Sequence, residues 1–376
     1  MAKKKTLSPW VLVLIFNLPL YILILNMKNI AYYLLLATAT LFTSCDDNTI
    51  VVADDYSAIL ANVGNEVIIR TYSDLATATT ALKVATQTLE TTPNQANLVA
   101  ARTAWINARS FWEESEGFLF GPVDQEGIDP SLDSWPVNVT DLNNVLSSSN
   151  TLTETFLEQQ EGTLKGFHTI EFLLWGANTN KQVADFTARE YEYLAACAAL
   201  LETDATRLYN LWQPASGNFI NNILTAGSGS QLYISEKAAL EEIVGALAII
   251  ADDVANGKIN DPLAAQDLTL EESRFSANSK TDFANNIRSV KNIYTGRYGS
   301  FGNSNSISAL INVKNAALNA DILTKIDAAI SSIENITGTF SHAVINASSE
   351  VVAAQQAVRE LQQILESQLI PLVSAL

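Results

Sequence analysis

Asn94-Gln95-Ala96-Asn97-Leu98-Val99-Ala100-Ala101-Arg102-Thr103-Ala104-Trp105-Ile106-Asn107-Ala108-Arg109-Ser110-Phe111-Trp112-Glu113-Glu114-Ser115-Glu116-Gly117 decides the fold class. Leu98, Ala101, Trp105, Ala108 and Trp112 fall three or four residues apart, which draws one apolar stripe along a helix. Gly117 and Pro122 end the run. The same period governs residues 56–89, 151–175, 187–212, 235–256, 279–294, 306–336 and 342–369, while alternating β-branched runs are scarce. Residues 121–140 hold Pro122, Pro130 and Pro136 and read as a loop with short turns. Long helices with short breaks predict an all-α protein of packed up-and-down bundles. A chain of 376 residues exceeds the usual size of a single core. Two packed helical bundles are therefore expected, residues 45–215 and 216–376, parting within 214–232.

The first 44 residues read as a targeting segment. Two apolar runs, 10–25 and 30–42, flank Asn26-Met27-Lys28-Asn29. Counted from Met1 the segment is too long for a signal peptide; counted from Met27 it has the basic start and short apolar core of one. Met27 is the expected start. Thr43-Ser44-Cys45 resembles a bacterial lipobox, with Phe42 where Leu is usual, so Cys45 is the expected lipidation site and membrane anchor. The expected location is the bacterial cell envelope, on its periplasmic face or at the cell surface. Cys197, in an Ala-rich helical stretch, then has no partner for a disulfide and reads as a small buried apolar residue. Both methionines, Met1 and Met27, also fall in this segment, which leaves no thioether to bind copper.

Of the 22 Lys and Arg residues, four (Lys3, Lys4, Lys5, Lys28) precede Cys45. That leaves 18 against 40 acidic residues, all from Asp46 onward, for a net charge of −22. Nucleic acid is excluded as a partner, because phosphates need Lys and Arg to neutralise them. The run Ala226-Gly227-Ser228-Gly229-Ser230 lacks the Lys of a phosphate loop.

One of the two histidines lies in Gly166-Phe167-His168-Thr169-Ile170-Glu171. Residues three apart share a helix face, so His168 and Glu171 are read as pointing at a common atom, on one stripe with Leu157 and Leu164. Imidazole with carboxylate suits a first-row transition metal. An inward His and Glu would be costly to bury without each other, an Arg or a cation. Gly166 is costly inside a helix, a cost explained if something approaches the backbone there.

Gly166-x-His168-x-x-Glu171, followed by an apolar run to Trp175-Gly176, resembles the GxHxxE signature of the imelysin family. Ala104-Trp105-x-x-Ala108-Arg109 with Ser115 to Asp124, and Glu272-Ser273-Arg274-Phe275-Ser276 through Asp282-Phe283 to Tyr294-Thr295-Gly296, resemble two further family blocks in the same order. The resemblance covers the chain from about residue 55 onward. It implies an all-α fold of two related halves with a site between them. It also implies a secreted or lipid-anchored bacterial protein of a family once classed as metallopeptidases and now linked to iron uptake.

The expected metal ligands are His168, Glu171 and Glu116, the last at the end of the Trp105 helix. Gly166, Asp133, Ser276 and Arg288 are expected to line the site. Glu113, four residues after Arg109, reads as its ion-pair partner, and His342 as structural. Asp282, Asn286 and Ser289 share a polar stripe assigned to solvent or interhelical hydrogen bonds. An oxygen-rich site with one imidazole favours iron, without excluding zinc or calcium. The leading expectation is an envelope lipoprotein that binds iron or an iron complex between its bundles and passes it to a transporter. A scaffold without metal is the alternative. A metallopeptidase is disfavoured, because neither His-Glu-x-x-His nor His-x-x-Glu-His occurs; no enzymatic activity is assigned.

Overall fold

A computed structural model describes residues 55–376. The targeting run 1–44, with Met27 in it, and Cys45 lie outside the described residues. The protein is all-α: among the described residues, strand is confined to one short hairpin, Arg297–Tyr298 with Phe301–Gly302. The longer helices are α1 (Ile69–Thr91), α2 (Gln95–Glu113), α3 (Gly166–Trp175), α4 (Ala188–Trp212), α5 (Glu236–Asp252), α6 (Ser279–Thr295), α7 (Ala316–Glu334) and α8 (Ser348–Ile364). None of the described helices is long and apolar enough to cross a membrane.

Their ends follow from capping side chains. Asn94 accepts from the Asn97 amide to start α2, Ser235 accepts from Ala238 to start α5, and Thr187 with Glu190 forms a capping box at α4. Each satisfies amides that a helix start would otherwise leave unpaired. Helices α1, α2, α3 and α4 pack on one another, as do α5, α6, α7 and α8, and α6 crosses to α2 along a seam between the two groups. One continuous apolar core runs through both, with Trp105, Trp112, Trp212 and Tyr72 fully buried. The described residues form one compact unit.

Two expectations need correction. The run 151–175 is not one helix: it breaks into Glu154–Glu158, a 3₁₀ turn at Gly162–Leu164 and then α3. Gly166 has φ +74°, a left-handed conformation that a helix cannot extend through. The stripe of Leu157 and Leu164 therefore does not continue into His168. Likewise 306–336 splits into Ile307–Lys314 and α7 at Asn315, whose side chain caps α7.

Two features aim charged groups inward. A π-helical turn, Asp253–Lys258, extends α5 and buries Lys258; such turns reset the phase of a helix face. At the end of α2, a Cβ on Gly117 would meet Ser289 Oγ at 2.5 Å. The lack of a side chain there lets Glu113 and Glu116 close onto α6.

Candidate metal centre

Helix α3 is held at both ends. Tyr193 donates to Leu164 O (2.7 Å) and Trp105 to Phe167 O (2.9 Å) near its start, while Arg102 donates to Leu174 O (2.8 Å) at its end. A cation suits the carbonyl end of a helix. At Gly166 an added Cβ would lie 2.3 Å from Leu132 O, so the backbone before Asp133 rests directly on the start of α3. Backbone does approach Gly166, but at the start of α3 and not in a helix interior. The consequence is to bring Asp133 to His168.

Asp133 Oδ2 accepts from Trp112 (2.6 Å), its Oδ1 pairs with Arg109, and His168 Nε2 lies 3.1 Å from Oδ1 without hydrogen-bond alignment. The other imidazole nitrogen, Nδ1, is 3.1 Å from Glu171 Oε2. Glu171 Oε1 in turn accepts from the amide and hydroxyl of Ser276, both at 2.7 Å. Glu171 thus sits on the opposite side of the ring from Asp133. It orients the ring and turns Nε2 toward Asp133 and Glu272, as a carboxylate behind a metal-binding histidine does.

Around this pair lies a cluster of buried charges. Arg109 touches Glu113 and Asp133, lies 2.7 Å from Glu272, and points Nε toward Asp282 at 3.8 Å. Lys258 Nζ contacts Glu116 (2.7 Å), Glu272 (3.2 Å) and Glu113 (3.4 Å). Asn286 donates to both Glu113 and Glu116. Glu113, Glu116, Asp133, Glu171, Glu272 and Asp282 are all buried and outnumber Arg109, Lys258 and His168. Arg109 Nε, His168 Nε2, Glu272 Oε2 and Asp282 Oδ2 have no hydrogen-bond partner. Buried polar atoms are seldom left so.

Two donor groups emerge, in each of which the ligand atoms lie within 4.8 Å of one another: Asp133, His168 and Glu272; and Glu113, Glu116 and Asp133. Of the expected ligands, His168 falls in the first and Glu116 in the second, and Glu171 stands behind His168. Asp133 meets Arg109, Trp112 and His168, and Ser276 donates to Glu171. Arg288 does not join them: it is partly exposed and pairs with Asn285 and Glu334. Asp282, Asn286 and Ser289, assigned to solvent or interhelical bonding, are fully buried against the end of α2. Lys258, Glu272 and the central role of Arg109 were missed. Glu272 was within reach, since it opens the third sequence block. Lys258, in Asn256-Gly257-Lys258, looks like a loop residue.

The electrostatics divide the carboxyls. Burial opposes ionisation of Asp133 and Glu272, yet Arg109 with His168 holds Asp133 well below the usual range, and Lys258 with Arg109 brings Glu272 to about 2. Burial, with repulsion from Glu272 and Asp282, pushes Glu113 up to about 8 despite Arg109 and Lys258. Burial and Arg109 both disfavour a charged His168, but Asp133, Glu171 and Glu272 hold its imidazolium well above the ordinary value.

A raised carboxyl pKa stabilises the fold below its unfolded value, about 4.3, and that contribution is lost as pH rises toward the folded value. With chelator present, the melting temperature is expected to fall from pH 5 to pH 9, and Glu113→Gln to flatten the fall. An unchanged slope in that variant would reject Glu113 as the source.

A cleft of about 10 Å³ reaches His168 and Glu171 past Trp135, Pro136, Val137 and Phe275, room for about one water. The larger groove, about 380 Å³ beside Thr206 and Asn210 of α4, contains none of the cluster. Cys197 is buried, and burial pushes its thiol up to about 12, as expected of an inert core residue. His342 lies outside the cluster, near Asn346.

Fold and site together define an all-helical protein that seals one histidine and an excess of carboxylates inside a seam between two helix groups. The imelysin family model matches residues 68–367, and the chain belongs to the imelysin family. It is 34% identical over 261 residues to iron-regulated protein A of Synechococcus elongatus, 69% of each chain. Among solved structures, it is similar to an iron-regulated protein A precursor from Parabacteroides distasonis (TM-score 0.74, 28% identity, 83% of this chain and 93% of that one). An imelysin-like protein from Psychrobacter arcticum shares the fold (TM-score 0.68, 16% identity, 85% and 95% covered).

Proposed function

We propose that this protein binds a single metal ion, iron by preference, through Asp133, His168 Nε2 and Glu272, and serves iron uptake in the bacterial cell envelope. The observation that carries this reading is the unbonded Nε2 of a buried histidine, facing two carboxylates that stay ionised. Glu171, held by Ser276, orients the ring. Iron is supported by the mixed imidazole and carboxylate donors and by the name iron-regulated protein A borne by two relatives. The narrow cleft favours a bare ion over haem or a bulky chelate. The chain is tethered through Cys45 and hands its ion to a membrane transporter.

Calorimetric titration with ferrous, ferric, zinc and calcium ions tests the site. Iron is expected to bind at one site and release protons, because the ion replaces the one on His168. His168→Ala and Glu272→Gln should each weaken binding at least about tenfold, the scale of a lost metal-site contact. A second reading, a metal-free lock between helix groups, is favoured by the ion pairs that Arg109 and Lys258 already make with these carboxylates. Folded variants that lose stability, beside a parent that binds no ion, would establish that lock instead.

A further inference from the structure

The second donor group, Glu113, Glu116 and Asp133, shares Asp133 with the first, and Glu272 faces both the histidine and Lys258. Shared carboxylates between two adjoining cation positions are the plan of a two-metal site, in which the ions stand roughly 3.5–4 Å apart. Here one of the two positions is filled. Lys258 Nζ lies 2.7 Å from Glu116, 3.2 Å from Glu272 and 3.4 Å from Glu113, and is itself buried. Glu272 Oε1 accepts from that ammonium at 3.2 Å, and its buried Oε2, also 3.2 Å away, faces the same charge without a hydrogen bond of its own.

The oxygens within 4.8 Å of one another match the span across a hard divalent cation bound at roughly 2.3–2.6 Å. Asn286, with a free Oδ1, stands beside Glu113 and Glu116.

We infer that Lys258 is a tethered cation occupying the second position of a two-cation site, and that it limits the protein to one metal ion. The lysine reaches this place because the π-helical turn Asp253–Lys258 turns it inward. Removing its ammonium opens an all-carboxylate position of the kind that takes manganese, calcium or magnesium. The role as a limit on stoichiometry rests on the metal-binding reading of His168; the existence of the second position does not.

Bound Mn²⁺ is counted by equilibrium dialysis for the full protein, for Lys258→Met, and for Lys258→Met combined with Glu113→Gln and Glu116→Gln. Methionine keeps the apolar stem of lysine and drops the charge. Lys258→Met is expected to hold one Mn²⁺ more than the parent, and the triple variant to lose that increment. The increment is read, not the total. A parent that binds no Mn²⁺ and a variant that binds one would support the second position, with the His168 reading decided separately by the iron titration. A folded variant with the parent's count would overturn the inference and leave the His168 reading standing. Should Lys258→Met lack a cooperative thermal transition, Mn²⁺ is expected to restore it, with no such response in the triple variant; no rescue overturns the inference.

Discussion

Arg109→Met is expected to cost about 3–5 kcal/mol of stability, the range for removing one partner from a buried ion pair. Arg109 is fully buried and faces Glu113, Asp133, Glu272 and Asp282 from one guanidinium. These carboxylates are buried, and Lys258 is already committed on the far side. They would recover neutrality only by taking up protons, so the loss should be larger at pH 8 than at pH 5. Urea unfolding at both values checks this. A change below about 1 kcal/mol would mean that the cluster is better hydrated than its burial indicates. Arg109→Lys should recover only part of the loss, because an ammonium lacks the planar fork that meets several carboxylates at once.

Gly166→Ala is expected to cost at least about 2 kcal/mol, combining a left-handed backbone forced on a side chain with overpacking. The new methyl would lie 2.3 Å from Leu132 O and 2.7 Å from Ser131 O. Backbone on both sides leaves nothing flexible to give way. Relief comes only by moving the segment that carries Asp133 away from α3. The variant should therefore lose metal affinity as well as stability, although Gly166 offers no ligand atom. Retained affinity in a destabilised variant would show that Asp133 is not needed by the ion.

The residues that local spacing can reveal were legible. His168 and Glu171 are one turn apart, Arg109 and Glu113 likewise, and the stripe from Leu98 to Trp112 is buried as its period required. Helix classes were legible for the same reason, since capping residues and breaks are short-range features. Legibility failed where a residue's role depends on partners far along the chain. Glu272 meets Arg109 across 163 positions, and Lys258 meets Glu116 across 142. In sequence, an Asn-Gly-Lys stretch after a helix reads as exposed, and only the π-helical turn reverses that. Arg288 failed in the other direction: on α6 the side turned to α2 belongs to Asp282, Asn286 and Ser289, and Arg288 projects toward Glu334.

Because the cluster draws Arg109, Asp133 and His168 from one helix group and Lys258, Glu272 and Asp282 from the other, it does not exist in either alone. Closing loops of such length is entropically slow, so the charges are brought together after the local helix contacts. Desolvating them is then a late event on the route to the native state, and the seam is the natural place for a first, partial opening. On the proposed metal-binding reading, an ion there would be kept by closure of this seam more than by any one ligand, and a small parting of the seam would release it with every helix intact.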